Sequence, residues 1–105
     1  MMRFVAILDL KGNIVEGIIK KSKNSLEYQK DEEHFCKQVG QRRLMRKEFD
    51  KSLGKVRYVH VEQDNVSQLV VYSKKYTIFI TVEPELSIKK KVELAITVKT
   101  LVSKA

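Results

Sequence analysis

Asp31–Leu53, DEEHFCKQVGQRRLMRKEFDKSL, restricts the possible folds more than any other stretch. It is the one long segment with helical periodicity and marked ends, and it leaves two β-like segments before it and three after it. Asp31 can act as N-cap, its carboxylate accepting from the first free backbone N–H groups. Glu32 and Glu33 follow in the first turn, where the helix dipole favours negative charge. Gly54 suits a left-handed position just past the end. Phe35, Val39, Met45, Phe49 and Leu53 fall on one side of a 3.6-residue helix, which places Phe49 in the core. Gly40 costs a helix about 1 kcal/mol relative to Ala, so another element is expected to approach closely there. Arg42 and Arg46 project along the apolar side. Either their stems cover apolar surface while the head groups reach the rim, or they form a planar, always-charged anchor for an acidic partner or a phosphate.

The flanking segments read as strands. Arg3–Asp9 is apolar on both alternating sets, as in a strand covered on both faces. Leu10 to Asn13 is a tight turn, and Ile14–Ile19 returns to make a hairpin. Lys20–Lys30, KKSKNSLEYQK, reads as a long basic loop that Leu26 and Tyr28 can pin to the domain. After the central helix come Lys55–Glu62, Val66–Ser73 and Tyr76–Glu83, rich in β-branched and aromatic residues. Pro84 ends the last of these, because it cannot donate to a ladder. Ser87 is a plausible N-cap for a helix over Ile88–Ser103, although the β-branched run 95–102 would also suit a strand. The order is β-β-α-β-β-β-α, which predicts an α+β fold: a five-stranded antiparallel sheet with helices on both faces. At 105 residues the chain is expected to be a single domain, 1–105.

That order is the one found in the longin, roadblock and profilin-like group. The run Arg42-Arg43-Leu44-Met45-Arg46-Lys47-Glu48-Phe49-Asp50 resembles a small family of proteins of unknown function from ammonia-oxidising archaea. Four other pieces resemble the same family: Arg3-Phe4-Val5 with Gly12 nearby, Leu26-Glu27, Lys30-Asp31, and Val82-Glu83-Pro84-Glu85-Leu86. The resemblance covers the chain to about Leu86 and carries no activity or assigned site. It implies a roadblock/longin-type (profilin-like) domain, a type that commonly serves as a non-catalytic dimeric platform for small GTPases or their regulators. That step is an analogy of fold, which does not fix function.

Charge supplies the other functional signal. The net charge of +8 is concentrated in Lys20, Lys21 and Lys23, in the run from Arg42 to Lys47, and in Lys89, Lys90 and Lys91, while residues 56–83 are neutral. Such an excess can attract nucleic acid, an anionic membrane or an acidic protein, or simply keep the surface solvated. The candidate partner-binding residues are Arg42, Arg43, Arg46 and Lys47. The Lys55–Glu62 strand, expected at the sheet edge beyond Val66–Ser73, is a poor solitary edge, since Val56, Tyr58, Val59 and Val61 are apolar and no proline interrupts it. Those four residues are the candidate homodimer edge. Pairing there would set two central helices side by side at Gly40, and Val59→Pro would weaken it.

Several chemistries find no support. The four glycines form no phosphate loop. His34 and Cys36 are two apart on a helix and cannot chelate together, and His60 lies in another element, so no metal, cofactor or catalytic set is expected. Cys36 is the only cysteine, which excludes an internal disulfide and fits a reducing cytosol. No apolar run approaches the ~20 residues of a membrane span, and the N-terminal run flows into a strand pattern unlike a signal peptide. Tyr58, Tyr72, Tyr76 and Phe79 could stack bases only if a sheet face were open. Three functions follow: a protein-interaction module, in which a homodimer serves a small-GTPase-type or acidic partner; a nucleic-acid binder using the basic clusters; or a small-molecule sensor holding a ligand between loop and helix.

Overall fold

The computed structural model describes residues 2–19 and 26–103. Strand β1 (Met2–Leu8) turns through 9–13 into β2 (Ile14–Ile19). The Asp9 carboxylate closes this turn, accepting from the backbone N–H of Lys11 and of Asn13 and from the Asn13 side-chain amide, each at 2.9 Å. These bonds, the Asn13 side chain first, hold the Asp9 carboxyl below its ordinary pKa. Gly12 takes φ +89°, a conformation that a Cβ would strain.

Helix α1 (Leu26–Lys47) and a one-turn helix α2 (Asp50–Leu53) follow. Strands β3 (Val59–Glu62), β4 (Ser67–Tyr72) and β5 (Thr77–Val82) then form a meander, and α3 (Ile88–Ser103) closes the chain. The Ser87 hydroxyl accepts from the Lys90 N–H at 3.2 Å, as expected of an N-cap. All strand pairs are antiparallel in the order β2-β1-β5-β4-β3, so β5 and β1 are interior and β3 is an edge.

Side-chain alternation splits the core between the two faces. Phe4, Ala6, Leu8, Val70, Tyr72 and Phe79 meet Cys36 and Val39 of α1. Leu69, Val71, Ile78, Ile80 and Val82 meet Ala95 of α3, with Leu94, Val98 and Val102 alongside. Phe79 packs between Phe4 and Phe35, with ring centroids 6.0 and 5.2 Å away. Gly40 is a point of close approach, and its neighbour is intramolecular: a Cβ there would stand 2.7 Å from the Gly12 backbone. That contact already uses Gly40, so it is not a free seam between two copies.

The central helix departs from its sequence reading in three ways. It begins at Leu26, so 26–30 are helical rather than loop and Asp31 lies inside the helix rather than at its cap. Residues 20–25, with Lys20, Lys21 and Lys23, lie outside the described residues. The helix also breaks at Phe49, whose φ −101° and ψ 5° leave the α-helical region. The expected apolar stripe therefore fails beyond Val39. Met45 is 66%, Phe49 55% and Leu53 80% exposed, and the buried face is instead the small-residue set Cys36, Val39 and Gly40. Gly54 does take a positive φ, +84°, but with ψ 167° it is extended rather than left-handed helical.

Candidate functional site

The candidate arginines separate by helical position. Arg42 and Lys47 are exposed, whereas Arg43 and Arg46 are half-buried and turn toward the sheet end. Arg43 is the residue on the apolar side that the sequence reading assigned to Arg42. Its guanidinium donates to the Tyr76 carbonyl at 2.8 Å, the Thr77 hydroxyl at 3.0 Å and the Ser73 carbonyl at 2.6 Å, and lies 4.7 Å over the Tyr72 ring. One side chain thus ties α1 to the β4–β5 hairpin through neutral oxygens and a ring face. Burial lowers its pKa, while Tyr72 and Asp50 oppose that shift. Arg46 donates to the Tyr72 hydroxyl at 3.1 Å, and Lys99 crosses from α3 to donate to the Tyr72 carbonyl.

Around these residues opens a cleft of about 510 Å³. Arg43, Arg46, Lys47, Lys55, Lys74 and Lys99 line it, with Asp50 its one carboxylate. Leu10, Leu44, Val56 and Tyr72 supply its apolar wall. Chemically it is an anion-attracting cleft with hydrophobic footing. Sequence reading found the α1 members but missed Lys55, Lys74 and Lys99, which lie on three other segments and are brought together only by the fold.

The expected edge segment is shorter than the Lys55–Glu62 strand. Only Val59–Glu62 pairs, with Val59 opposite Val70 and Glu62 opposite Ser67. Val56 and Val59 pack against the α1-side core and Tyr58 against the α3-side core, leaving Val61 the exposed member.

At the far end of β3 is a polar cluster that the sequence did not disclose. Lys91 is 1% exposed, so it belongs to the interior and not to a basic surface cluster with Lys89 and Lys90. Its ammonium donates to the Glu62 carboxylate at 2.7 Å and to the Pro84 carbonyl at 3.0 Å. The Ser67 hydroxyl and the His60 ring also reach Glu62, each at 2.7 Å. These partners, Lys91 foremost, hold the Glu62 carboxyl down to about 2. Ordinary helix periodicity predicted neither the burial of Lys91 nor its partner 29 residues earlier.

Among the described residues no group of three or more His, Cys, Asp or Glu could hold a metal ion. His34 approaches Gln38, Cys36 is buried, and His60 faces Glu62. Tyr72 and Phe79 are buried beneath α1, which removes them as base-stacking rings. Among the described residues no helix is long and apolar enough to cross a membrane.

Residues 1–102 match a family described as a family of unknown function (DUF6659). No curated protein matches the chain in sequence. Similar solved structures share its fold. A roadblock/LC7 domain from Streptomyces avermitilis has a TM-score of 0.70 at 12% identity, the match covering 98% of this chain and 80% of that one. MglB in a tetrameric arrangement has 0.70 at 11%, covering 98% and 78%. MglC from Myxococcus xanthus has 0.58 at 15%, covering 98% and 82%. The match in fold extends over the whole sheet and its helices.

Proposed function

Because this chain belongs to the DUF6659 family and folds as a roadblock/LC7 domain, we propose that it is a non-catalytic protein-interaction module, a homodimeric platform for a signalling partner of the small-GTPase type. The observation that carries this reading is an open sheet edge in a chain that also leaves large apolar side chains uncovered. Strand β3 bonds to β4 alone. The end of α1 exposes Met45, the turn after it Phe49 and α2 Leu53, and β3 itself exposes Val61. Unpaired N–H and C=O groups along an edge recruit another strand, and large exposed apolar side chains gain free energy when a second surface covers them. A two-fold copy satisfies both at once. The tetrameric arrangement recorded for MglB supports self-association as a use of this fold. The small-GTPase part of the proposal rests on the roadblock/longin analogy. A nucleic-acid role keeps only the charge in its favour, since both sheet faces are covered by helices.

Sedimentation equilibrium at micromolar concentration tests the reading. We expect a mass of twice the 12.2 kDa chain. Phe49→Asp and Val61→Lys, both at exposed positions, should shift it toward monomer without loss of folded structure. Val59→Pro is a poorer probe than the sequence suggested, because Val59 also packs against the core. A wild-type chain that sediments as a monomer overturns the proposal.

A further inference from the structure

The cleft at the sheet end permits a sharper statement about the partner, one that rests on the interaction-module reading above. Its charge is lopsided: six cationic side chains face one carboxylate, Asp50. The ion pairs formed among the described residues, Lys91 and His60 with Glu62, involve none of the six. Arg43 is held by neutral oxygens, which fix its position without neutralising it. Arg46 spends one bond on the Tyr72 hydroxyl and keeps the rest of its donor fork. Asp50 is the one carboxylate near these half-buried cations, so much of their charge stays uncompensated, a cost that a bound anion relieves. Arg46 is already held on the Tyr72 hydroxyl, so less of its freedom remains to be lost on binding than for Lys55 and Lys74.

The layout discriminates among anions. Phosphate sites concentrate backbone N–H groups at a glycine-rich turn or a helix N-terminus. Here the cations stand on separate segments around the opening instead of converging on one turn. Single-stranded nucleic acid needs accessible ring faces, but Tyr72 is buried and capped by Arg43. Spaced cations interleaved with Leu10, Leu44 and Val56 match spaced carboxylates interleaved with apolar side chains.

We propose that this cleft binds an acidic, hydrophobic peptide segment of the partner protein, with carboxylates received by Arg46, Lys55 and Lys74 and an apolar side chain seated on Leu44 and Val56. Arg42, on the outer side of α1, takes no part.

The test is a fluorescence-anisotropy titration of the full chain with a labelled peptide of alternating glutamate and leucine. Lys55→Glu combined with Lys74→Glu, both exposed positions, should weaken binding by about tenfold. Lys89→Glu with Lys90→Glu makes the same change in net charge outside the cleft and should leave affinity within about twofold. If the first pair misfolds, Arg46→Gln with Lys74→Gln, set against Lys89→Gln with Lys90→Gln, carries the same comparison. Equal weakening by the two charge-reversed pairs overturns the proposal, because bulk charge then explains the binding. So does equal affinity for a glutamine–leucine peptide. Displacement of the labelled peptide by single-stranded DNA or inorganic phosphate at lower concentration than by unlabelled peptide also overturns it. Sedimentation of the same samples separates the two readings: a homodimer that ignores the peptide ends this proposal and leaves the platform standing.

Discussion

Gly40→Ala should destabilise the protein, although helix propensity alone argues the reverse. In an open helix the change gains about 1 kcal/mol. Here the new Cβ would stand 2.7 Å from both the Cα and the nitrogen of Gly12 and 2.9 Å from the Lys11 carbonyl carbon. All three are backbone atoms in a turn already closed by Asp9, so no flexible side chain can swing aside. Reaching ordinary contact distance requires α1 and the β1–β2 turn to separate by about 0.7 Å. That separation loosens Cys36 and Val39 against Leu8. Overpacking of this kind costs typically 1–3 kcal/mol, and a clash with backbone belongs at or above the upper end. Net of the propensity gain, the loss is about 2 kcal/mol, or a fall of roughly 10 °C in melting midpoint for a domain of this size. Gly17→Ala is the control. Its Cβ would meet only ordinary van der Waals contacts, with the Ile14 side chain at 3.5 Å and with the Phe4 ring and the Val5 carbonyl at 4.0 Å, so replacing a strand glycine there should gain about 0.5–1 kcal/mol. Circular-dichroism melts and urea titrations of the two variants decide the matter. A Gly40→Ala protein as stable as wild type would show that the turn yields and that the packing argument is wrong.

Three further outcomes are expected. Phe49→Ala should change the folding stability of the dissociated chain by no more than about 0.5 kcal/mol, since the ring is mostly exposed; a loss of several kcal/mol in a urea titration run where the chain is monomeric would return Phe49 to the core. Arg43→Met strips three hydrogen bonds from the β4–β5 hairpin and should cost about 2 kcal/mol, with Arg43→Lys recovering less than half because an ammonium cannot span the same acceptors; equal stability of the Lys variant and wild type would refute the bridging role. The Glu62 carboxyl lies near 2 in the folded chain against an ordinary 4.5, so the folded state binds fewer protons; its contribution is complete above about 4.5 and is lost as pH falls toward about 2. Glu62→Gln should therefore lower the midpoint at neutral pH and flatten its fall on acidification, and Lys91→Met, which removes the foremost partner of that carboxylate and the donor to the Pro84 carbonyl, should lower the neutral midpoint as well. Parallel acid limbs for wild type and Glu62→Gln would show that Glu62 is not the titrating group.

The strands were legible because their chemistry is two-sided. Phe4, Ala6 and Leu8 alternate with Val5 and Ile7, and the structure sends the two sets to opposite cores. Ile14–Ile19 and Ile88–Ser103 emerge with the bounds their turn and cap residues imply. The edge position of β3 followed from the fold analogy. Helix α1 was less legible because its buried face is built from small residues. Cys36 and Gly40 contribute little hydrophobic periodicity, while Met45, Phe49 and Leu53 imitate a core stripe that the break at Phe49 turns outward. Its first turn was hidden because Asp31 has the chemistry of a cap, although Glu27, Gln29 and Lys30 are sound helix formers. The cleft was half legible. Clustered arginines stand out in a sequence, but acceptors that are backbone carbonyls leave no trace there, and Lys55, Lys74 and Lys99 are neighbours only in the fold.

The pairing of β1 with β5 also sets the order in which the chain can fold. It joins Met2 to Val82 and is the one ladder linking the N-terminal hairpin to the C-terminal meander. On the ribosome, β1 must wait until some seventy residues more have emerged before it finds its inner neighbour. Until β5 pairs with it, the inner flank of β1 presents unpaired N–H and C=O groups. A closure of such long sequence separation slows folding, because loop entropy is lost before the contact returns anything. Crowding by other nascent copies during that interval would favour exchange of whole hairpins between chains, with β1 of one molecule completing the sheet of another.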